Sequence, residues 1–301
     1  MADDVLTLHE AAEELGVHYM SAYRYVRLGL LDAAKRGGVW KVERSSIAAF
    51  RAGSNRSPVA AGNRAPWSER LESRLIGGDA QGAWGVIEKA MASGMGLDRV
   101  YLDVLTPALV RIGERWDAGE LDIAIEHRAS GIAMRIIGQI GPKFVRRGRS
   151  RGVVIVASPT GEQHGLPLAM LSDLLRLEGW EVTDLGADLP APSLVRLMQD
   201  TPDAVAIGLS ASSPESLAAL AEMCAAVSAA APQLLVVLGG GAIQDRDHAV
   251  ALGGHDWATT SEQMSDLIEA HLAAQGRVVQ NSVVQDRVVQ DRVVQNEVAA
   301  D

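Results

Sequence analysis

Glu162 and His164 are the residues whose types and spacing most directly suggest chemistry. They lie in the stretch Ser158-Pro-Thr-Gly-Glu-Gln-His-Gly-Leu-Pro167, which follows a short apolar run and opens a helical pattern. A histidine there projects from the rim of a parallel sheet, where ligands of such folds bind. A carboxylate two residues away can hydrogen-bond one ring nitrogen. That fixes the tautomer and makes the other nitrogen a better metal ligand. Downstream, Ser210-Ala211-Ser212 and Gly239-Gly240-Gly241 close two further apolar runs. Hydroxyls and side-chain-free backbone at neighbouring strand ends suit a long planar or nucleotide-like group. Each element taken alone is equally a turn or a helix cap.

A second set lies upstream, in Arg111-Ile-Gly-Glu-Arg-Trp-Asp-Ala-Gly-Glu-Leu-Asp-Ile-Ala-Ile-Glu-His127. By residue type alone, Trp116 reads as a core residue and Glu126-His127 as a solvated pair. A third set is basic. Residues 24–56 carry eight Lys or Arg against Asp32 and Glu43, in a chain whose net charge is −10. A basic patch on an acidic protein is a local anion-binding surface.

The elements that must position these residues are legible from periodicity. From residue 152 short apolar runs at Gly152–Ser158, Val182–Gly186, Ala204–Ser210, Leu234–Gly239 and, more weakly, Trp257–Thr260 alternate with helical stretches near 167–178, 191–200, 214–230, 245–252 and 262–274. That alternation predicts a five-stranded parallel sheet covered on both faces. Residues 67–142 show helical spacing with few strand signals and predict a four-helix bundle, with Asp79, Asp98 and Asp122 as caps.

Residues 1–52 predict a winged helix-turn-helix. Thr7-Leu-His-Glu10 is a capping box. Gly16 ends the first helix, a second runs from Tyr19 to Leu28 and ends at Gly29, and Gly37-Gly38 turns into the alternating wing Val39-Trp-Lys-Val42. Ser45 or Ser46 caps a last helix containing Ile47 and Phe50. Arg24, Tyr25 and Arg27 are the expected base-reading side chains, with Tyr23 in the core. Lys35, Arg36 and Lys41, with Arg44 nearby, are the expected phosphate contacts. The expected partner is a double-stranded DNA operator. Residues 53–66 and 143–150 are linkers by composition, and 275–301 is a low-complexity tail in which Val-Val-Gln recurs every five residues.

Composition sets the bounds. At 48% hydrophobic and 22% charged, with no apolar run of membrane-spanning length, the chain predicts a globular protein with no membrane partner. The single cysteine, Cys224, excludes an internal disulfide, fits a reducing cytoplasm, and is expected as a small buried hydrophobe. The acidic start lacks a signal-peptide pattern, so a cytoplasmic location is expected.

On these motifs, residues 151–274 resemble the cobalamin-binding domain of corrinoid enzymes and carriers. Its Asp-x-His-x-x-Gly loop appears as Glu162-Gln163-His164-Gly165-Leu166-Pro167, followed by the Ser-x-Ser and Gly-Gly elements in order. The resemblance implies a flavodoxin-like fold in which His164 replaces the cofactor's own dimethylbenzimidazole as the lower cobalt ligand. It implies a nucleotide tail lying between Ser210/Ser212 and Gly239-Gly240. Glu for Asp and Pro167 for Gly are departures. The bundle at 67–142 is similar to the helical cap of CarH/LitR-type photoreceptor regulators, whose Trp-x9-Glu-His spacing is met by Trp116, Glu126 and His127. There the Trp and Glu surround the adenosyl group of adenosylcobalamin. That family also carries an N-terminal helix-turn-helix of MerR type, and residues 1–52 resemble the MerR/excisionase winged version. A third departure is Asp117, where the family commonly has the histidine that takes the upper cobalt position after illumination.

The expected function is an adenosylcobalamin-dependent, light-responsive, DNA-binding regulator, not an enzyme, in which cobalamin state controls homo-oligomerisation, with a tetramer as one form. The alternatives are a corrinoid carrier for a methyltransferase, for which residues 67–274 alone would suffice, and a light-independent corrinoid or cobalamin-plus-bilin sensor, which Asp117 keeps open.

Overall fold

The computed structural model describes residues 5–15, 19–27, 31–36, 39–51, 66–146 and 148–277. The turns expected at Gly16, Gly29 and Gly37-Gly38, nearly all of the first linker and the Val-Val-Gln tail lie outside the described residues. So do the side chains of Arg24, Arg27, Lys35, Arg36 and Phe50. The chain divides into two compact units, at Ala65/Pro66.

In the first unit, β1 (Val5–Thr7) leads into α1 (Leu8–Leu15) and α2 (Tyr19–Arg27). The hairpin of β2 (Ala33–Arg36) and β3 (Val39–Glu43) follows, then α3 (Arg44–Arg51). The expected capping box forms: the Glu10 carboxylate accepts from the Thr7 amide at 2.6 Å, and the Thr7 hydroxyl accepts from the Glu10 amide at 3.3 Å. The wing gains a strand that the sequence did not advertise. β1 pairs antiparallel with β3, giving the sheet order β1-β3-β2. Leu8, Ala11, Ala12, Ala22, Leu31, Val42 and Ile47 form the core. Ser46 does not cap α3. It lies inside the helix, and its hydroxyl accepts from the Asp32 amide at 2.8 Å, fastening α3 to the segment before β2.

The second unit opens with α4 (Trp67–Ile76) and α5 (Ala80–Ala92). Next, α6 (Leu97–Arg99) runs through a π-helical turn (Val100–Leu105) into α7 (Thr106–Asp117), and α8 (Ile123–Ile140) completes the bundle. The π turn has a local cause: Pro107 has no amide hydrogen and its ring crowds the carbonyl four residues back, so the helix widens just before it. Asp79 and Asp122 cap α5 and α8 by accepting from Gly82 and Ala124 amides, each at 2.8 Å. Asp98 is not a cap; Gly96 holds that position and Asp98 lies within α6.

The remaining strands are β4 (Val153–Ala157), β5 (Glu181–Asp184), β6 (Ala204–Ser210), β7 (Leu235–Gly239) and β8 (Asp256–Trp257). They alternate with α9 (Gly165–Leu177), α10 (Ala191–Asp200), α11 (Leu217–Ala230), α12 (Arg246–Ala251) and α13 (Ser261–Ala274). The sheet is parallel in the order β5-β4-β6-β7-β8, the flavodoxin-like winding, with its switch point between β4 and β6. Alternate strand residues feed two cores, one under α10 and α11 and the other under α9 and α13. Cys224 is buried in the first, and burial pushes its thiol up to about 12. β8 ends at Trp257, short of the expected Thr260, because the threonines are used to start α13. The Thr260 hydroxyl accepts from the Gln263 amide, and the Thr259 amide donates to the Gln263 side chain.

The bundle shares its core with the sheet domain. Met170 is buried in the bundle core, with Leu166, Ala169, Leu174 and Leu177 of α9 packed against it. Phe144, in the stretch expected as a second linker, is fully buried and stacks on Tyr101 at 4.7 Å between ring centroids. The Tyr101 hydroxyl donates to Asp173 of α9 at 2.7 Å, joining the bundle to the sheet domain by a buried polar contact.

Candidate cofactor site

His164 occupies the N-cap position of α9 with no side-chain capping bond, and its side chain is 56% exposed. Its Nδ1 lies 2.6 Å from Glu162 Oε1. Glu162 is fully buried, which by itself would raise its pKa. The amides of His164 and Ser213, the His164 ring and the Ser212 amide outweigh burial and hold it at about 2. Ionised Glu162 requires the proton of neutral His164 to sit on Nδ1. The Nε2 lone pair is then left for a metal ion.

The carboxylate is held from several sides. Oε1 accepts from the His164 amide at 3.0 Å; Oε2 accepts from the amides of Ser212 at 2.7 Å and Ser213 at 2.9 Å and from the Ser216 hydroxyl at 3.0 Å. The longer arm of Glu reaches across the switch point, from the loop after β4 to the start of α11. Ser213 and Ser216 were not anticipated, since nothing local marks a serine 51 or 54 residues from its acceptor. Pro167 does not disturb the loop, because it lies in the first turn of α9, where no intrahelical amide is needed.

Ser210 and Gly239 are paired across β6 and β7. Ser212 takes part through its amide. Gly240 has φ +97°, and a Cβ there would sit 2.2 Å from the Ala211 carbonyl oxygen, so only glycine fits. Hydrogen bonds from the Ala211 amide to Gly239 O and from the Ala242 amide to Ala211 O tie the two turns together. At the end of β4, the Ser158 hydroxyl is fully buried and has no hydrogen-bond partner among the described residues.

On the bundle, Trp116 is 44% exposed in the last turn of α7, not in the core as its residue type suggests. Asp117 is exposed beside it. Glu126 accepts from the Ser130 hydroxyl at 2.5 Å and lies 2.8 Å from His127 Nδ1. Ile123, His127 and Met134 share an edge of α8, and Met134 Cε lies 4.0 Å from where a Cβ on Gly165 would be. That edge therefore runs beside the His164 loop and carries the exposed apolar side chains of Ile123 and Met134. Among the described residues no cluster of three or more His, Cys, Asp or Glu could hold a metal ion. The donor set fits a cofactor that brings its own equatorial ligands and needs one imidazole.

In the first unit, Tyr25 packs partly against the core, as does Tyr23, and Lys41 is half-buried on β3.

Family models agree with this anatomy. Residues 67–140 and 152–267 each match a B12 binding domain. Residues 5–54 match a helix-turn-helix domain, giving the domain order of the CarH-type resemblance. Two curated relatives from Myxococcus xanthus are similar. The HTH-type transcriptional repressor CarA is 33% identical over 58% of this chain and 58% of its own length. The HTH-type transcriptional repressor CarH is 30% identical over 66% and 65%. The chain thus spans somewhat under two thirds of either relative. The solved monomethylamine corrinoid protein of Methanosarcina barkeri superposes with a TM-score of 0.58 at 16% identity, over 67% of this chain and 96% of that one, which supports the fold. Among the described residues no helix is long and apolar enough to cross a membrane.

Proposed function

We propose that this protein is a cobalamin-binding, DNA-binding transcriptional regulator that uses adenosylcobalamin as a light-responsive ligand. The observation that carries the reading is the Glu162–His164 pair at the switch point, with Nε2 free, in a chain that begins with a helix-turn-helix. His164 would hold cobalt from below, with Glu162 keeping its ring oriented and Nδ1 protonated. Ser210, Ser212, Gly239 and Gly240 would line the path of the displaced nucleotide tail. Trp116, Glu126 and His127 would cover the upper face and exclude water from it. When bound, the cofactor supplies a cobalt–carbon bond that light can break, a property of the cofactor itself. A change at the upper face would alter the exposed apolar edge of α7 and α8 and thereby the homo-oligomer, with a tetramer as one form. Several DNA heads on one oligomer bind an operator far more tightly than one. Arg24, Tyr25, Arg27, Lys35, Arg36 and Lys41 would make the DNA contacts. A reducing cytoplasm fits the single buried Cys224.

A corrinoid carrier for a methyltransferase would need residues 67–274 alone; the helix-turn-helix favours the regulator. The test is absorption spectroscopy with adenosylcobalamin in the dark and after illumination, alongside operator binding. The wild type is expected to show base-off, histidine-ligated spectra, His164→Ala to lose them, and deletion of residues 1–52 to abolish DNA binding. A wild-type protein without corrinoid bands refutes the cofactor assignment. Operator binding that survives the deletion refutes the DNA assignment.

A further inference from the structure

The loop between β5 and α10 is zipped onto the His164 loop. The Ser158 amide donates to Gly186 O at 3.0 Å, and the Leu189 amide returns a bond to Ser158 O at 3.0 Å. Between them, Asp188 engages the His164 loop twice. Its Oδ1 accepts from the Gly161 amide at 2.8 Å, and its own amide donates to Glu162 O at 3.0 Å. Asp188 has φ +58°, the only positive φ of a non-glycine residue among the described residues. Among L-residues, Asp and Asn tolerate that region best, but it remains strained. The strained backbone turns the amide toward Glu162, while the carboxylate reaches Gly161. Gly161 is itself at φ +86° with open space around it. A glycine that is free to move on both sides needs an external restraint if the loop is to keep one shape.

We propose that Asp188 is a positioning residue that holds the 159–164 loop, and with it the Glu162–His164 pair, in its metal-facing shape before any ligand arrives. The inference rests on the cobalamin reading of the site for its purpose, but not for its structural content. Substitution by glycine removes the carboxylate while relieving the backbone strain, so the variant folds. Asparagine keeps an oxygen acceptor and tolerates the same φ.

The test is amide exchange on the full-length, cofactor-free protein, followed by titration with hydroxocobalamin and adenosylcobalamin. Loss of one hydrogen bond is worth about a factor of ten. In Asp188→Gly, exchange at Gly161 and Glu162 is therefore expected to rise about tenfold. The Ala206 amide in β6 should be unchanged, and cobalamin affinity should fall by about the same factor. Asp188→Asn is expected within about threefold of wild type on every measure. Unchanged exchange at Gly161 in the glycine variant overturns the proposal. So does an equal rise at Ala206, which would mean that Asp188 acts only on global stability. If wild type fails to bind either cobalamin, the cofactor reading fails, and the exchange data still decide the role of Asp188.

Discussion

Tyr101→Phe isolates the buried contact between the bundle and the sheet domain. Phenylalanine keeps the ring, its burial and its stack on Phe144, so no cavity opens and only the hydroxyl is lost. The hydroxyl donates to Asp173, which is 4% exposed and whose other oxygen is held by Arg176 at 2.9 Å. A hydrogen bond to a charged, buried acceptor contributes about 1.5–3 kcal/mol, so a loss of about 2 kcal/mol is expected. For a unit of this size each kcal/mol shifts the melting temperature by about 2–4 °C, which gives a fall of about 4–8 °C. Thermal unfolding measures it, and a double-mutant cycle with Asp173→Asn should return a coupling of about 1–2 kcal/mol. There is also a pH signature. Burial, reinforced by the bond to Asp173 and its charge, raises the Tyr101 pKa above the ordinary phenol value of about 10. The folded phenol therefore stays protonated where the unfolded one ionises. This stabilisation is full below about pH 10 and is lost as the pH climbs above it. The Phe variant should lack that alkaline decline. A melting temperature within 1 °C of wild type, no coupling, or an unchanged alkaline limb would each refute the reasoning.

Three further outcomes are expected. Glu162 is held at about 2, so its stabilisation is present above the ordinary carboxylate pKa near 4.5 and is lost as the pH falls toward 2. Glu162→Gln, which must turn an amide donor toward either the His164 amide or the Ser212 and Ser213 amides, should lower stability by roughly 2–3 kcal/mol at pH 7 and flatten that acid limb in urea titrations from pH 3 to 7. Gly240→Ala should cost at least about 2 kcal/mol, because its Cβ would meet the Ala211 backbone, whereas Gly94→Ala, also at positive φ but facing open space, should cost only about 1 kcal/mol in the same melts. Asp117→His places an imidazole beside Trp116. If the upper cobalt position lacks a protein nitrogen in the wild type, the illuminated spectrum of the variant should move toward two nitrogen ligands and persist longer; a wild-type spectrum already of that kind, and unchanged by His127→Ala, would rule this out.

The sequence by itself determined most element types and their order, with β1, recognisable only through its pairing with β3, as the exception. The alternation of apolar runs and helical periods marks five strands, and the capping box and two of three Asp caps are recognisable because their partners lie within three residues. The Glu162–His164 bond was legible for the same reason: its partners are two residues apart. Tertiary structure decided what closes around that pair. The sheet order sets β4 between β5 and β6, and this brings Asp188 to Gly161 across 27 residues and Ser213 to Glu162 across 51. Packing against α9 buries Phe144 in a stretch whose composition looks like a linker, and it pairs Tyr101 with Asp173 across 72 residues. It also leaves Trp116 exposed despite its size. Local signals report covalent geometry within a turn or two. Burial and long-range hydrogen bonding depend on which surfaces the sheet order brings together, and no spacing along the chain encodes that.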